Sequence, residues 1–99
     1  MEADIRRIQE METRLDECRT AVDELKVLLD RMEALREPMI RLFTYYGSED
    51  WYRDRERELP PDIKAGVLSE DAVYDVITDV RDASFRMLEL ATDILKNRI

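Results

Sequence analysis

Four aspartates, Asp71, Asp75, Asp79 and Asp82, recur at helical spacing near the C-terminal end of the chain. Clustered carboxylates are hard oxygen ligands for Mg²⁺ or Ca²⁺. All-helical metal-dependent nucleotide hydrolases use them by pointing paired carboxylates into a cavity. That requirement can be checked against the apolar seam of the same helix, Val73, Val76, Val80, Ala83, Met87, Leu90 and Ile94. With Val73 at heptad position a, Asp71, Asp75 and Asp82 fall on f, c and c, away from the seam, and Asp79 falls on g. The aspartates therefore read as a solvated acidic face, with no metal site expected. No sequence of EF-hand spacing is present, nor a Walker loop or a Rossmann glycine pattern.

Cys18 is the single cysteine and there is no histidine. A cysteine nucleophile needs a lowered pKa and a neighbouring base. Without one, Cys18 reads as a small buried hydrophobe. No catalytic residue and no cofactor is expected. The remaining unusual grouping is aromatic. Of the seven aromatic side chains, five lie between positions 43 and 52: Phe43, Tyr45, Tyr46, Trp51 and Tyr52. Tyrosine and tryptophan dominate binding hot spots, so Tyr45, Tyr46, Trp51 and Tyr52 are the candidate partner-binding residues. The competing reading is a small core that anchors a connector to one end of the helices.

Helices must position these groups. Ile8, Met11, Leu15, Cys18, Val22, Leu25, Leu29 and Met32 are spaced 3, 4, 3, 4 without a break, an a/d seam with Ile8 at a. This predicts a long helix over about residues 4–36. The next a position is Arg36, and Pro38 predicts a stop or kink, because proline disfavours helical geometry at the residue before it. The g positions run Arg7, Arg14, Ala21, Leu28, Leu35, so the apolar stripe is narrow at first and wider later. A narrow stripe suits one neighbour and a wide one suits a bundle.

Residues 39–46 read as a short helix closed by Gly47 as a left-handed cap. Ser48 caps a second short helix through about residue 58, with Glu49 and Asp50 in its first turn. Leu59-Pro60-Pro61 ends it, and residues 59–68 form a connector. The alternating run Arg53-Asp54-Arg55-Glu56-Arg57-Glu58 has no net charge, and its i,i+4 pairs are like-charged. Ser69 caps the last long helix, about residues 70–97. Its seam, with Ile77, Phe85, Leu88, Ala91 and Leu95 beside it, covers roughly 160–200° of the circumference, enough for two neighbours. The expected fold is all-α: two long antiparallel helices bridged by a connector with one or two short helices, in a single domain over residues 1–99.

Composition agrees with that reading. The chain has 99 residues, 40% charged and 44% hydrophobic, with two glycines and three prolines. That is one domain's length, with too few breakers for a β-sandwich. Net charge is −8, distributed as −4, −1 and −3 over residues 1–37, 38–68 and 69–99. Such a chain has no basic patch to meet phosphates or anionic lipid, so neither nucleic acid nor a membrane is expected as partner. No segment is apolar enough for export or insertion, and a cytoplasmic protein with a reduced thiol is the expectation.

Three stretches carry a family resemblance: IRRIQEMETRLDE from Ile5, YYGSEDW from Tyr45 and LPPDIKAGVLSEDAVYDVI from Leu59. The chain resembles the bacterial family called domain of unknown function 4298 over nearly its whole length. The resemblance implies a small all-helical bacterial protein and supplies no activity, cofactor or functional residue. The expected function is therefore a protein-interaction or assembly module. It would be a homo-oligomer and not an enzyme, with a protein partner. The alternatives are a metal-dependent all-helical nucleotide hydrolase and a regulatory subunit of another enzyme.

Overall fold

The computed structural model describes residues 1–97, and all regular structure among them is helical. Helix α1 spans Glu2–Tyr45, α2 spans Glu49–Arg55, a 3₁₀ turn spans Gly66–Leu68, and α3 spans Glu70–Lys96. The chain divides into two compact units, Met1–Pro38 and Met39–Ile99.

The first unit is helix from Glu2 to its end. A single helix has nothing within it to cover its own stripe. Its seam side chains are accordingly exposed, the large ones between 39% and 58%. Cys18 is exposed as well, which corrects its expected burial: position d buries a side chain only where another helix lies over it. The surface ion pairs of this unit are local. Arg7 reaches Asp4 at 3.2 Å and Arg14 reaches Glu17 at 3.4 Å, both three residues apart.

Of the two outcomes expected at Pro38, the stop is absent. Proline removes one helical hydrogen bond and crowds the carbonyl four residues back, at a cost of about 3 kcal/mol. The helix nevertheless runs through Pro38, and residues 39–45 are its last turns, not a separate helix. Good helix formers flank the site, Ala34, Leu35, Arg36 and Glu37 before it and Met39 and Leu42 after it. The C-terminal turns are also tied into the second unit. Met39, Leu42, Phe43, Tyr45 and Tyr46 are half-buried there, and both tyrosines hydrogen-bond to later elements. Packing overrides local propensity at this point.

The caps follow the sequence reading. Gly47 has φ +78°, the left-handed conformation that reverses the chain after α1, and the Ser48 N–H donates to the Tyr45 carbonyl. Ser48 Oγ accepts from the Trp51 N–H at 3.2 Å, and Ser69 Oγ accepts from the Ala72 N–H at 3.1 Å. Helix α2 ends at Arg55, about a turn before the expected end. Its charges pair at spacing three: Arg53 with Asp50 at 3.2 Å and Arg57 with Asp54 at 3.7 Å. The run therefore offsets its like-charged i,i+4 neighbours with acids one turn back.

The core of the second unit is small. Trp51 and Val73 are each 3% exposed, and Ala65, Val67, Leu68, Ile77, Val80 and Ser84 are half-buried. Helix α3 is thus packed along its first turns. Beyond them Met87, Leu90 and Ile94 of its seam stay exposed.

Candidate functional site

Trp51 organises the second unit. It sits in the first turn of α2, where the Ser48 cap fixes its backbone. Its indole Nε1–H donates to the Val67 carbonyl at 2.9 Å, pinning the 3₁₀ turn of the connector. A buried indole needs such a partner for its N–H. Tyr46 and Tyr52 pack edge-on against the indole, with centroids at 4.9 Å and 5.0 Å. The Arg55 guanidinium lies 4.6 Å from the indole centroid, within cation–π range, and reaches Glu70 at 3.6 Å.

Tyr45, the last residue of α1, and Tyr46, which follows it, both bond to later elements of the second unit. Tyr46 Oη donates to the Glu70 carbonyl at 2.7 Å, tying the end of α1 to the start of α3. Tyr45 Oη donates to Asp54 Oδ2 at 2.6 Å. That hydrogen bond, with desolvation and the negative charges of Asp54 and Asp50, pushes the Tyr45 phenol up to about 12. Each of these effects disfavours the phenolate.

A shallow groove of about 410 Å³ opens beside this cluster. Tyr46, Trp51, Tyr52 and Tyr74 supply its rings, Arg55 its cation, and Glu70 and Asp71 its acids. Tyr52 and Tyr74 are 57% and 58% exposed. The groove offers stacking surfaces, phenolic hydroxyls and a guanidinium held between a ring and a carboxylate. Those groups suit recognition of another molecule's side chains.

The structure brings Tyr46, Trp51 and Tyr52 together and sets Tyr45 beside them through Asp54. It divides their roles: Trp51 is buried, Tyr45 and Tyr46 are half-buried, and Tyr52 is exposed. Sequence reasoning missed Tyr74 and treated Arg55 only as part of a charge run. Tyr74 lies one turn after Glu70, on the same face of α3. That spacing next to a capped helix start is the signal that could have found it. Asp71, Asp75, Asp79 and Asp82 are all exposed. Among the described residues no three acidic or cysteine side chains converge as metal ligands would.

Comparison with known proteins adds a family to these observations. The family described as Domain of unknown function (DUF4298) matches residues 8–90, a span that takes in most of the α1 seam, the aromatic cluster and most of α3. The chain belongs to this family. No curated protein matches it.

Proposed function

We propose that this protein is a protein-interaction and assembly module that works as a homo-oligomer and carries no catalysis of its own. The observation that supports this most directly is the seam of α1. Eight consecutive a/d positions are filled by Ile, Leu, Met, Val or Cys, and in the first unit they are exposed. Contiguous exposed apolar surface of this kind marks an interaction site in a natural protein. Leu28 and Leu35 widen the stripe at g, enough for two neighbours, as a bundle with α3 antiparallel to α1 and a second copy alongside requires.

The groove beside Trp51 is the proposed contact for a protein partner of another kind. Tyr52 supplies its exposed ring, and Tyr45, Tyr46 and Trp51 support it. Sedimentation equilibrium across the micromolar range tests the assembly reading: a dimer or larger is expected, and the monomer mass of 11.8 kDa throughout would reject it. The non-catalytic reading has its own check. Adding Mg²⁺ or Mn²⁺ at an ionic strength held constant with NaCl should leave the melting temperature unchanged, whereas a rise would signal a bound ion and favour the hydrolase reading.

A further inference from the structure

The assembly reading leaves open how two copies meet, and the residues at the two ends of the α1 seam decide it. Continuing the heptads outward from Ile8 and Met32 places Asp4 at d and Arg36 at a. Helix α1 is unbroken over both, so the register holds from one to the other. In a parallel pair each layer contains two copies of one residue. Asp4 would then face Asp4 and Arg36 would face Arg36, with like charges in the seam at both ends. In an antiparallel pair, a positions meet d positions. Aligned for greatest overlap, Ile8 meets Met32 of the second copy, Met11 meets Leu29, Leu15 meets Leu25, and Cys18 meets Val22. The next layer outward sets Asp4 against Arg36 at both ends.

The flanking positions agree. In this alignment Glu12 lies beside Lys26 of the second copy, twice by symmetry, and neither side chain has an ion pair among the described residues. One like-charged contact, Arg19 with its own copy, falls at the two-fold axis, and the small Ala21 meets its own copy on the opposite flank. In the parallel alternative an Arg14–Arg19 contact occurs twice and offsets two Arg7–Glu12 contacts, so its flanks gain nothing net. At g, the methylene stems of Arg7 and Arg14 lie over Leu35 and Leu28 of the second copy, where they shield apolar surface. Sliding by one heptad in one direction sets Asp4 against Leu29. Sliding in the other sets Arg36 against Met11 and Glu12 against Glu33. Either shift strands a charge in an apolar layer.

We propose that two copies of this chain pair through α1 as an antiparallel coiled coil centred on Thr20, with Asp4 of each copy facing Arg36 of the other. The proposal rests on the assembly reading and adds orientation and register to it. Cys18 makes it testable in the full-length protein. In Val22→Cys, antiparallel pairing places each Cys18 against position 22 of the second copy. Mild oxidation, isolation of the covalent dimer band and tryptic mapping should then join peptide 15–19 to peptide 20–26. A parallel pair would join each peptide to itself, and that pattern would overturn the proposal while leaving the assembly reading intact. A species that stays monomeric in sedimentation, wild type included, would overturn both.

A charge swap gives a second measurement that does not depend on the cysteine variant. At 150 mM NaCl, where the net repulsion between chains is largely screened, Asp4→Arg alone should weaken dimerisation about fivefold, and adding Arg36→Asp, which also returns the net charge to −8, should restore it to within about twofold. No recovery in the double variant would reject the register, because parallel copies keep like charges opposed after the swap.

Discussion

Two aromatic residues next to each other in sequence carry different work. Trp51 is 3% exposed and holds the connector through the Val67 carbonyl, so Trp51→Ala should cost about 3–5 kcal/mol of stability. Tyr52 packs on the indole but stays mostly exposed, so Tyr52→Ala should leave the melting curve nearly unchanged and weaken partner capture by about 2 kcal/mol or more. Thermal melts and pull-downs on both variants check the division. Tyr45 gives a pH signature. Its phenol is raised from 10.0 to about 12 in the fold, so the neutral, hydrogen-bonded form is the stabilising one. That contribution is fully present below about pH 10 and is lost as pH rises through about 12. The melting temperature of the wild type should therefore fall more steeply over that interval than that of Tyr45→Phe. Equal slopes would show that the Asp54 bond does not couple to folding.

The elements were legible where one residue acts through its own backbone. Ser48, Gly47 and Ser69 announce their caps by chemistry confined to a single turn, and each cap forms as read. The helix does not stop at Pro38 for the complementary reason. Its local preference is for a break, but the turns after it are held by Tyr45 and Tyr46 bonding to residues 9 and 24 positions away. No window around Pro38 contains that information. The groove shows the same limit, since Arg55 meets Glu70 only because the connector folds back. The four α1 heptads were legible as a pattern. The pattern does not name what covers it, which is why Cys18 was wrongly expected to be buried. Pro38 costs α1 a hydrogen bond without ending it, so Pro38→Ala should stabilise the protein, by up to about 3 kcal/mol, with its helical circular dichroism nearly unchanged. The opposite sign is expected for Ser69→Ala, which removes the cap of α3 and should cost about 0.5–2 kcal/mol. Denaturant titration of the two variants separates the effects.

At the scale of the whole molecule, the net charge of −8 acts on the proposed pairing as strongly as any single contact. Two such chains with centres at ~30 Å repel by about 9 kcal/mol in water before screening. The Debye length is about 30 Å at 10 mM salt and about 8 Å at 150 mM, so this repulsion falls from roughly 3 kcal/mol to a few tenths. The attractive contacts respond more weakly. The Asp4–Arg36 and Glu12–Lys26 pairs occur twice each per dimer, and exposed pairs are worth about 0.2–1 kcal/mol apiece, only part of which salt removes over this range. The apolar layers are insensitive to salt at these concentrations. Repulsion therefore decides the sign, and association should tighten at least about tenfold between 10 mM and 150 mM NaCl. Sedimentation equilibrium at several salt concentrations measures this directly. Association that weakens steadily with salt would mean that opposite charges dominate the interface, a result at odds with a seam built mainly of Ile, Leu, Met and Val.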